Sequence, residues 1–156
     1  MNEAETRATY IDPALREAGW GVTEGSRVRL EFPITQGRLI GGGQRSAPSK
    51  ADYVLQYRNR NLAIIEAKSD EKGYTEGVGQ AKNYAERLQV RHTYSTNGLQ
   101  IYGIDMFEGS ESDILKYPTP DELWEMTFEE EDDWRDKLLS VPFEDRGGTW
   151  QPRYYI

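Results

Sequence analysis

The sequence predicts an α/β fold, a mixed central β-sheet flanked by helices. Three observations predict it. Two short apolar runs, Asp52–Tyr57 and Leu62–Ala67, flank the turn Arg58-Asn59-Arg60 in the manner of a hairpin. A helical period over residues 77–90 follows, and then a second hairpin pattern across Thr96-Asn97-Gly98. A helix in that position serves as a crossover between parallel strands. With a helix and a strand pattern ahead of these, the order reads α-β-β-β-α-β-β, without internal repeats.

Each element has its own signals. Asn2 is a candidate N-cap for a first helix over about residues 3–18, stopped by Gly19. At about 100° per residue, Ala4, Ala8, Ile11, Leu15 and Ala18 form one apolar stripe, widened by Tyr10 and Ala14. Pro13 interrupts this helix, which must kink or restart there. Val28–Ile34 alternates as a strand, and Leu39–Ile40 extends a hairpin across Gln36-Gly37. Gly41 through Ser49 reads as a loop. In the helix over Gly77–Val90, Val78, Ala81, Ala85 and Leu88 face the core. His92–Ser95 and Leu99–Ile104 are the strands of the second hairpin. Pro118-Thr119-Pro120-Asp121 opens a short helix to about Phe128, capped by Thr119 or Asp121, and an amphipathic piece follows over Glu131–Leu139. Trp20 and Trp124 read as core anchors.

Composition narrows the chemistry. The chain has no cysteine and a single histidine, His92. Disulfides, thiolate zinc sites and a cysteine nucleophile are excluded, and a Ser-His-Asp triad has little room. Any catalysis must use carboxylates, lysines, tyrosines and hard cations. The net charge of −8 is unevenly spread. Residues 1–104 carry 14 basic and 12 acidic side chains, whereas residues 105–156 carry 5 and 15. The acidity belongs to the second part, densest at Glu129–Asp133, so it does not argue against a nucleic-acid partner for the first. No membrane-length apolar run and no basic-then-apolar leader is visible, and the expected location is the cytoplasm.

The candidate site lies in the first hairpin. Residues two apart on a strand face the same side, so Glu66 and Lys68 project together at the end of an apolar strand. On the neighbouring strand Asp52, Val54 and Gln56 share a face. If Val54 lies opposite Ile64, Asp52 meets Glu66. That register needs an odd-length loop or a bulge, because a one-residue slip turns Asp52 to the other face. Two carboxylates opposite one another repel, and a divalent cation between them resolves the repulsion. Mg²⁺ suits such a site, since it takes oxygen ligands and keeps several waters; Ala67 is the candidate for an additional backbone carbonyl ligand. Lys68 would orient the attacked water or balance charge on a phosphate.

These residues, with Gln80-x-x-x-Tyr84 on the following helix, resemble the nuclease core of the PD-(D/E)xK superfamily. The match is similar in particular to the N-terminal endonuclease domain of type I restriction enzyme R (HsdR) subunits. It runs in order through Glu3-Ala4-Glu5-Thr6-Arg7, Ala18-Gly19-Trp20, Lys50-Ala51-Asp52-Tyr53, Ile65-Glu66-Ala67-Lys68, Gln80 to Ala85, Thr96-Asn97-Gly98 and Pro118 to Trp124. It covers about residues 2–126, with Ala51 where the family name has Pro.

The resemblance implies a restriction-endonuclease-like core and Mg²⁺-dependent cleavage of double-stranded DNA, with Asp52, Glu66 and Lys68 catalytic. A first-helix glutamate joins the metal site in such nucleases; Glu3 is preferred over Glu5 because it lies on the flank of the buried stripe. Gln80 and Tyr84 match an accessory motif near the active site, and Arg87 and Arg91 extend their helix face as candidate DNA contacts. The implied partners are the methylation and specificity subunits of a type I restriction complex, with no membrane. Residues 1–117 would form the nuclease core and 118–156 an acidic helical connector towards an ATP-driven motor. Arg153-Tyr154-Tyr155 resembles the start of that motor, and no phosphate-loop motif is present, so ATP would act only through the motor region. The alternatives are a stand-alone repair or junction nuclease of the same superfamily and a non-catalytic interaction module with this fold.

Overall fold

The structure, a computed structural model, describes residues 1–35, 39–40, 44–45 and 49–128. The expected pieces at Glu129–Asp133, Glu131–Leu139 and Arg153-Tyr154-Tyr155 lie outside the described residues.

The first helix is built in three joined parts: α1 (Glu3–Thr6), a π-helical turn (Arg7–Ile11) and α2 (Asp12–Glu17). Asn2 caps it, accepting from the Glu5 N–H, while its own amide donates to the Glu5 carboxylate. The π-turn is how the helix passes Pro13, which has no N–H to give: the Asp12 N–H reaches back to the Arg7 carbonyl. This changes which residues face inward. Ala4 and Ala8, expected in the buried stripe, are exposed; Thr6 is fully buried, and Ile11 and Leu15 continue the inward face. The wider turn shifts the helical phase by one residue, so the inward stripe before Pro13 runs through Glu3, Thr6, Arg7 and Tyr10. Gly19, at φ +103°, ends the helix with the Trp20 N–H bonded to the Leu15 carbonyl.

A six-stranded mixed sheet follows, in the order β1-β4-β5-β6-β7-β8. Its strands are β1 (Ser26–Thr35), β4 (Ser49–Tyr57), β5 (Arg60–Ala67), β6 (His92–Thr96), β7 (Ile101–Asp105) and β8 (Ser110–Ile114). All neighbours are antiparallel except β5 and β6, which are parallel and joined by α3 (Val78–Leu88), the crossover the sequence predicts. Three details correct the sequence reading. Leu39–Ile40 (β2) pairs with Gln44–Arg45 (β3) in a separate two-stranded sheet rather than extending β1, so the stretch read as a loop contains a strand. β8 was not expected, because Ser-Glu-Ser-Asp shows no apolar alternation; it is an edge strand with mostly exposed side chains. α3 stops at Leu88 rather than Val90, since Gln89 turns left-handed at φ 56° and the Val90 N–H closes on the Ala85 carbonyl.

The sheet carries a core on each face. One contains Ile11, Leu15, Trp20, Tyr53, Leu55, Ile65 and Leu123; the other packs Val54 and Ile64 under Tyr84 and Ala85 of α3. The helix over residues 120–128 joins the first core through Leu123, and Trp20 anchors its approach by donating from Nε1 to the Pro118 carbonyl. Thr119 is its cap: the Thr119 hydroxyl accepts from the Glu122 N–H, and the Glu122 carboxylate accepts from the Thr119 N–H. Trp124 packs edge-on to Tyr57. Among the described residues no helix is long and apolar enough to cross a membrane.

Candidate active site

The β4–β5 hairpin sets the site through its register. Its turn is the two residues Arg58-Asn59, both at positive φ (52° and 64°), not the three residues expected from sequence. Such a turn pairs Tyr57 with Arg60 and Gln56 with Asn61. Continued unbroken, it would put Asp52 opposite Ile65, on the wrong face. A bulge intervenes: Leu55 pairs with Ala63, Val54 with Ile64 and Tyr53 with Ile65. One step further along, Asp52 is level with Glu66. The register matches the expected one, reached by a bulge instead of an odd loop.

The two carboxylates are interlocked with the backbone of each other's strand. The Asp52 N–H donates to Glu66 Oε1 at 3.1 Å, and the Ala67 N–H donates to Asp52 Oδ2 at 2.8 Å. Glu66 is 2% exposed. Burial, and then the neighbouring Asp52 charge, push its carboxyl up to about 8. Burial beside the Asp52 charge thus favours the uncharged form of Glu66 unless a cation joins the two groups.

Lys68 lies beside them on the same face. A methyl group built on Gly77, the residue ahead of α3, would stand 3.3 Å from Glu66 Cβ and 3.6 Å from Lys68 Cε, so the start of α3 closes over both side chains. The Lys68 N–H donates to the Thr96 carbonyl, fixing the strand end. Among the described residues nothing forms an ion pair with the Lys68 ammonium. The segment between Lys68 and Gly77 is tied down by β6 and the turn after it: Ser95 Oγ donates to the Tyr74 carbonyl and Asn97 Nδ2 to the Lys72 carbonyl.

The first-helix acids take different positions. Glu5 is used in the Asn2 cap, whereas Glu3 points to the site but reaches it through Arg7. The Arg7 guanidinium donates to Glu3 Oε1 at 2.9 Å, to Glu31 Oε1 at 2.8 Å and to Asp52 Oδ1. Sequence reasoning gave Arg7 and Glu31 no role. The available signals were the i, i+4 pair Glu3/Arg7 and the Pro13 that forces the π-turn.

On α3, Gln80 Nε2 donates to the Tyr84 hydroxyl at 2.8 Å, and Tyr84 is 6% exposed. Arg87 is exposed. Arg91 departs from the expected stripe. It lies beyond the helix, and its guanidinium binds Asp105 through Nε at 3.0 Å and Nη2 at 2.9 Å, a structural pair across the β6–β7 hairpin.

Among the described residues no three His, Cys, Asp or Glu side chains gather closely enough to hold an ion. Asp52 and Glu66 therefore offer two carboxylates, with the Ala67 peptide beside them. Mg²⁺, which retains much of its water, fits such a site; an ion requiring a complete protein cage does not.

No family model matches the chain. Known proteins do. The chain is 28% identical to the endonuclease subunit of the type I restriction enzyme EcoAI from Escherichia coli, over 99% of this chain and 20% of that protein. A solved fragment described as an HsdR subunit of a type I restriction enzyme from Vibrio vulnificus YJ016 superimposes with a TM-score of 0.77. It is 36% identical over 90% of this chain and 28% of that one. The chain thus spans only 20% and 28% of the length of these two relatives.

Proposed function

We propose that this chain, an HsdR-type domain with a restriction-endonuclease-like fold, is the DNA-cleaving part of a type I restriction enzyme R subunit. Its substrate in this reading is double-stranded DNA, cut at phosphodiester bonds with the help of Mg²⁺, which Asp52 and Glu66 would hold. The observation that carries the reading is the bulged hairpin register, which brings those carboxylates together with Lys68 beside them. A purely structural strand end gains nothing from two carboxylates in contact, one of them buried.

The roles follow from position. Asp52 and Glu66 would hold the cation, each oriented by a backbone N–H of the opposite strand. The cation, when bound, lowers the pKa of a water and offsets charge on the attacked phosphate. Lys68 would orient a water or balance charge on the phosphate, its ammonium forming no ion pair among the described residues. Gln80 and Tyr84, hydrogen-bonded to each other on α3, are the candidate accessory pair, and Arg87, about one helical turn further along, is a candidate phosphate contact. In the complete assembly, methylation and specificity subunits would choose the target, and ATP would act through a motor region.

The test is nicking of supercoiled plasmid by the chain with Mg²⁺ or Mn²⁺, alongside Asp52→Ala, Glu66→Ala and Lys68→Ala. The expected result is slow, metal-dependent nicking that all three substitutions abolish. Equal nicking by wild type and Asp52→Ala would overturn the proposal, as would folded wild-type protein that neither nicks DNA nor gains stability from Mn²⁺. The second of those outcomes would favour a non-catalytic module; efficient cleavage with a structural preference, such as for junctions, would favour a stand-alone repair nuclease.

A further inference from the structure

Arg7 is held by three carboxylates from three different elements: Glu3 of α1, Glu31 of β1 and Asp52 of β4. Its guanidinium also stands 5.4 Å from the Tyr53 ring centre, and its side chain is only 18% exposed. Glu31 occupies the β1 position level with Asp52, between the pairs Leu30–Tyr53 and Phe32–Ala51. There its backbone is left-handed, at φ 50°, a conformation that glutamate rarely adopts within a strand. A strained strand residue opposite a candidate metal ligand, tied to that ligand through one guanidinium, calls for a functional explanation.

Resting on the nuclease reading above, we propose that Arg7 is a positioning residue: braced by Glu31 and Glu3, it holds Asp52 Oδ1 so that the Asp52 carboxylate faces Glu66 as a preformed seat for a divalent cation. The guanidinium suits this work because its fork is planar and rigid, so two sides can be braced while a third contact aims the ligand. The π-turn contributes too, since the one-residue phase shift is what brings Glu3 and Arg7 inward where Ala4 and Ala8 would otherwise lie. Arg7 itself touches neither water nor phosphate in this scheme. It acts through Asp52.

A positioning role and a simple charge effect predict opposite signs. Removing a positive charge beside a cation site should tighten cation binding by Coulomb's law, whereas releasing the brace should weaken it. The experiment is calorimetric titration of the chain with Mn²⁺, comparing wild type with Asp52→Ala, Arg7→Gln, Arg7→Lys and Glu31→Asp, each checked for folding by circular dichroism. The expected result is binding that is about 10–100-fold weaker in Arg7→Gln, as for other residues that orient metal ligands. Arg7→Lys keeps the charge but loses the fork, and Glu31→Asp keeps the charge but shortens the brace; both should weaken Mn²⁺ binding as well. Unchanged or tighter binding in Arg7→Gln overturns the inference. If Arg7→Gln does not fold, wild-type affinity in Glu31→Asp overturns it instead. Failure of the function itself is distinguishable: wild-type protein would then show no Mn²⁺ site that Asp52→Ala removes, and both proposals would fall together.

Discussion

Replacing Glu66 by Gln should stabilise the metal-free protein above neutral pH while destroying its proposed activity. The Glu66 carboxyl is raised from 4.5 to about 8, by burial first and by the Asp52 charge second. A folded-state value above the unfolded one means that the folded form holds a proton which the unfolded chain has already released. Glu66 therefore supports the fold fully below about pH 4.5, and that support is lost as pH climbs through about 8. Each pH step inside that window costs about 1.4 kcal/mol, so the loss across it is on the order of a few kcal/mol after relaxation around the pair. Glutamine keeps the shape and carries no charge to desolvate. The assay is urea denaturation in chelator from pH 5 to pH 9, for wild type and Glu66→Gln. Wild-type stability should fall across the range more steeply than that of Glu66→Gln, and Mn²⁺ should restore it in wild type alone. Parallel curves for the two proteins would refute the claim that burial beside Asp52 keeps Glu66 protonated.

Other positions give separate tests. Gly77→Ala would set its methyl 3.1 Å from Ser95 Oγ and 3.3 Å from Glu66 Cβ, so a cost of about 1 kcal/mol or more in thermal denaturation and a larger proportional loss of cleavage are expected. Unchanged cleavage would mean that the start of α3 does not constrain the site. Lys68→Arg should be nearly as inactive as Lys68→Ala in the nicking assay, because a bulky fork cannot replace a compact ammonium beside Glu66. Near wild-type cleavage by either variant would remove Lys68 from the mechanism. His92 is buried and its Nε2 has no hydrogen-bond partner among the described residues. Burial lowers its pKa, so its contribution to stability is present above about 6.5 and lost as pH falls below that value. His92→Gln should flatten that acid limb, and an unchanged limb would contradict the assignment. Finally, Glu31→Gly should be more stable than Glu31→Gln by about 1 kcal/mol, because glycine accepts the left-handed backbone at φ 50° without strain. Equal stability would show that the backbone there stores no strain.

The parts of this molecule that were legible in its sequence are those governed by local pattern. Alternation announced β4 and β5, and it also gave the shared faces of Asp52 with Val54 and of Glu66 with Lys68. The crossover helix was equally readable, and of the two caps the sequence offers, Thr119 and Asp121, the structure uses Thr119. The hairpin register came out as expected although its turn did not. Val54 pairs with Ile64, but through a two-residue left-handed turn and a bulge that no alternation rule can locate. Arg7 was hidden for a similar reason. A straight helix puts Ala4 and Ala8 inward, and only the π-turn around Pro13 rotates Glu3 and Arg7 towards Asp52. Strand β8 escaped notice because an exposed edge strand needs no apolar face. Arg91 falls off the expected helix face because the helix ends early, and its guanidinium pairs with Asp105. In each case a tertiary partner, rather than a local preference, decides the outcome.

The most direct measurement is a crystal of the protein soaked in Mn²⁺ and recorded at the manganese absorption edge. An anomalous peak bridged by the Asp52 and Glu66 carboxylates, with the Lys68 ammonium alongside, is the predicted result. Manganese bound only elsewhere, or a hairpin whose Asp52 points to the opposite side of the sheet from Glu66, would contradict it.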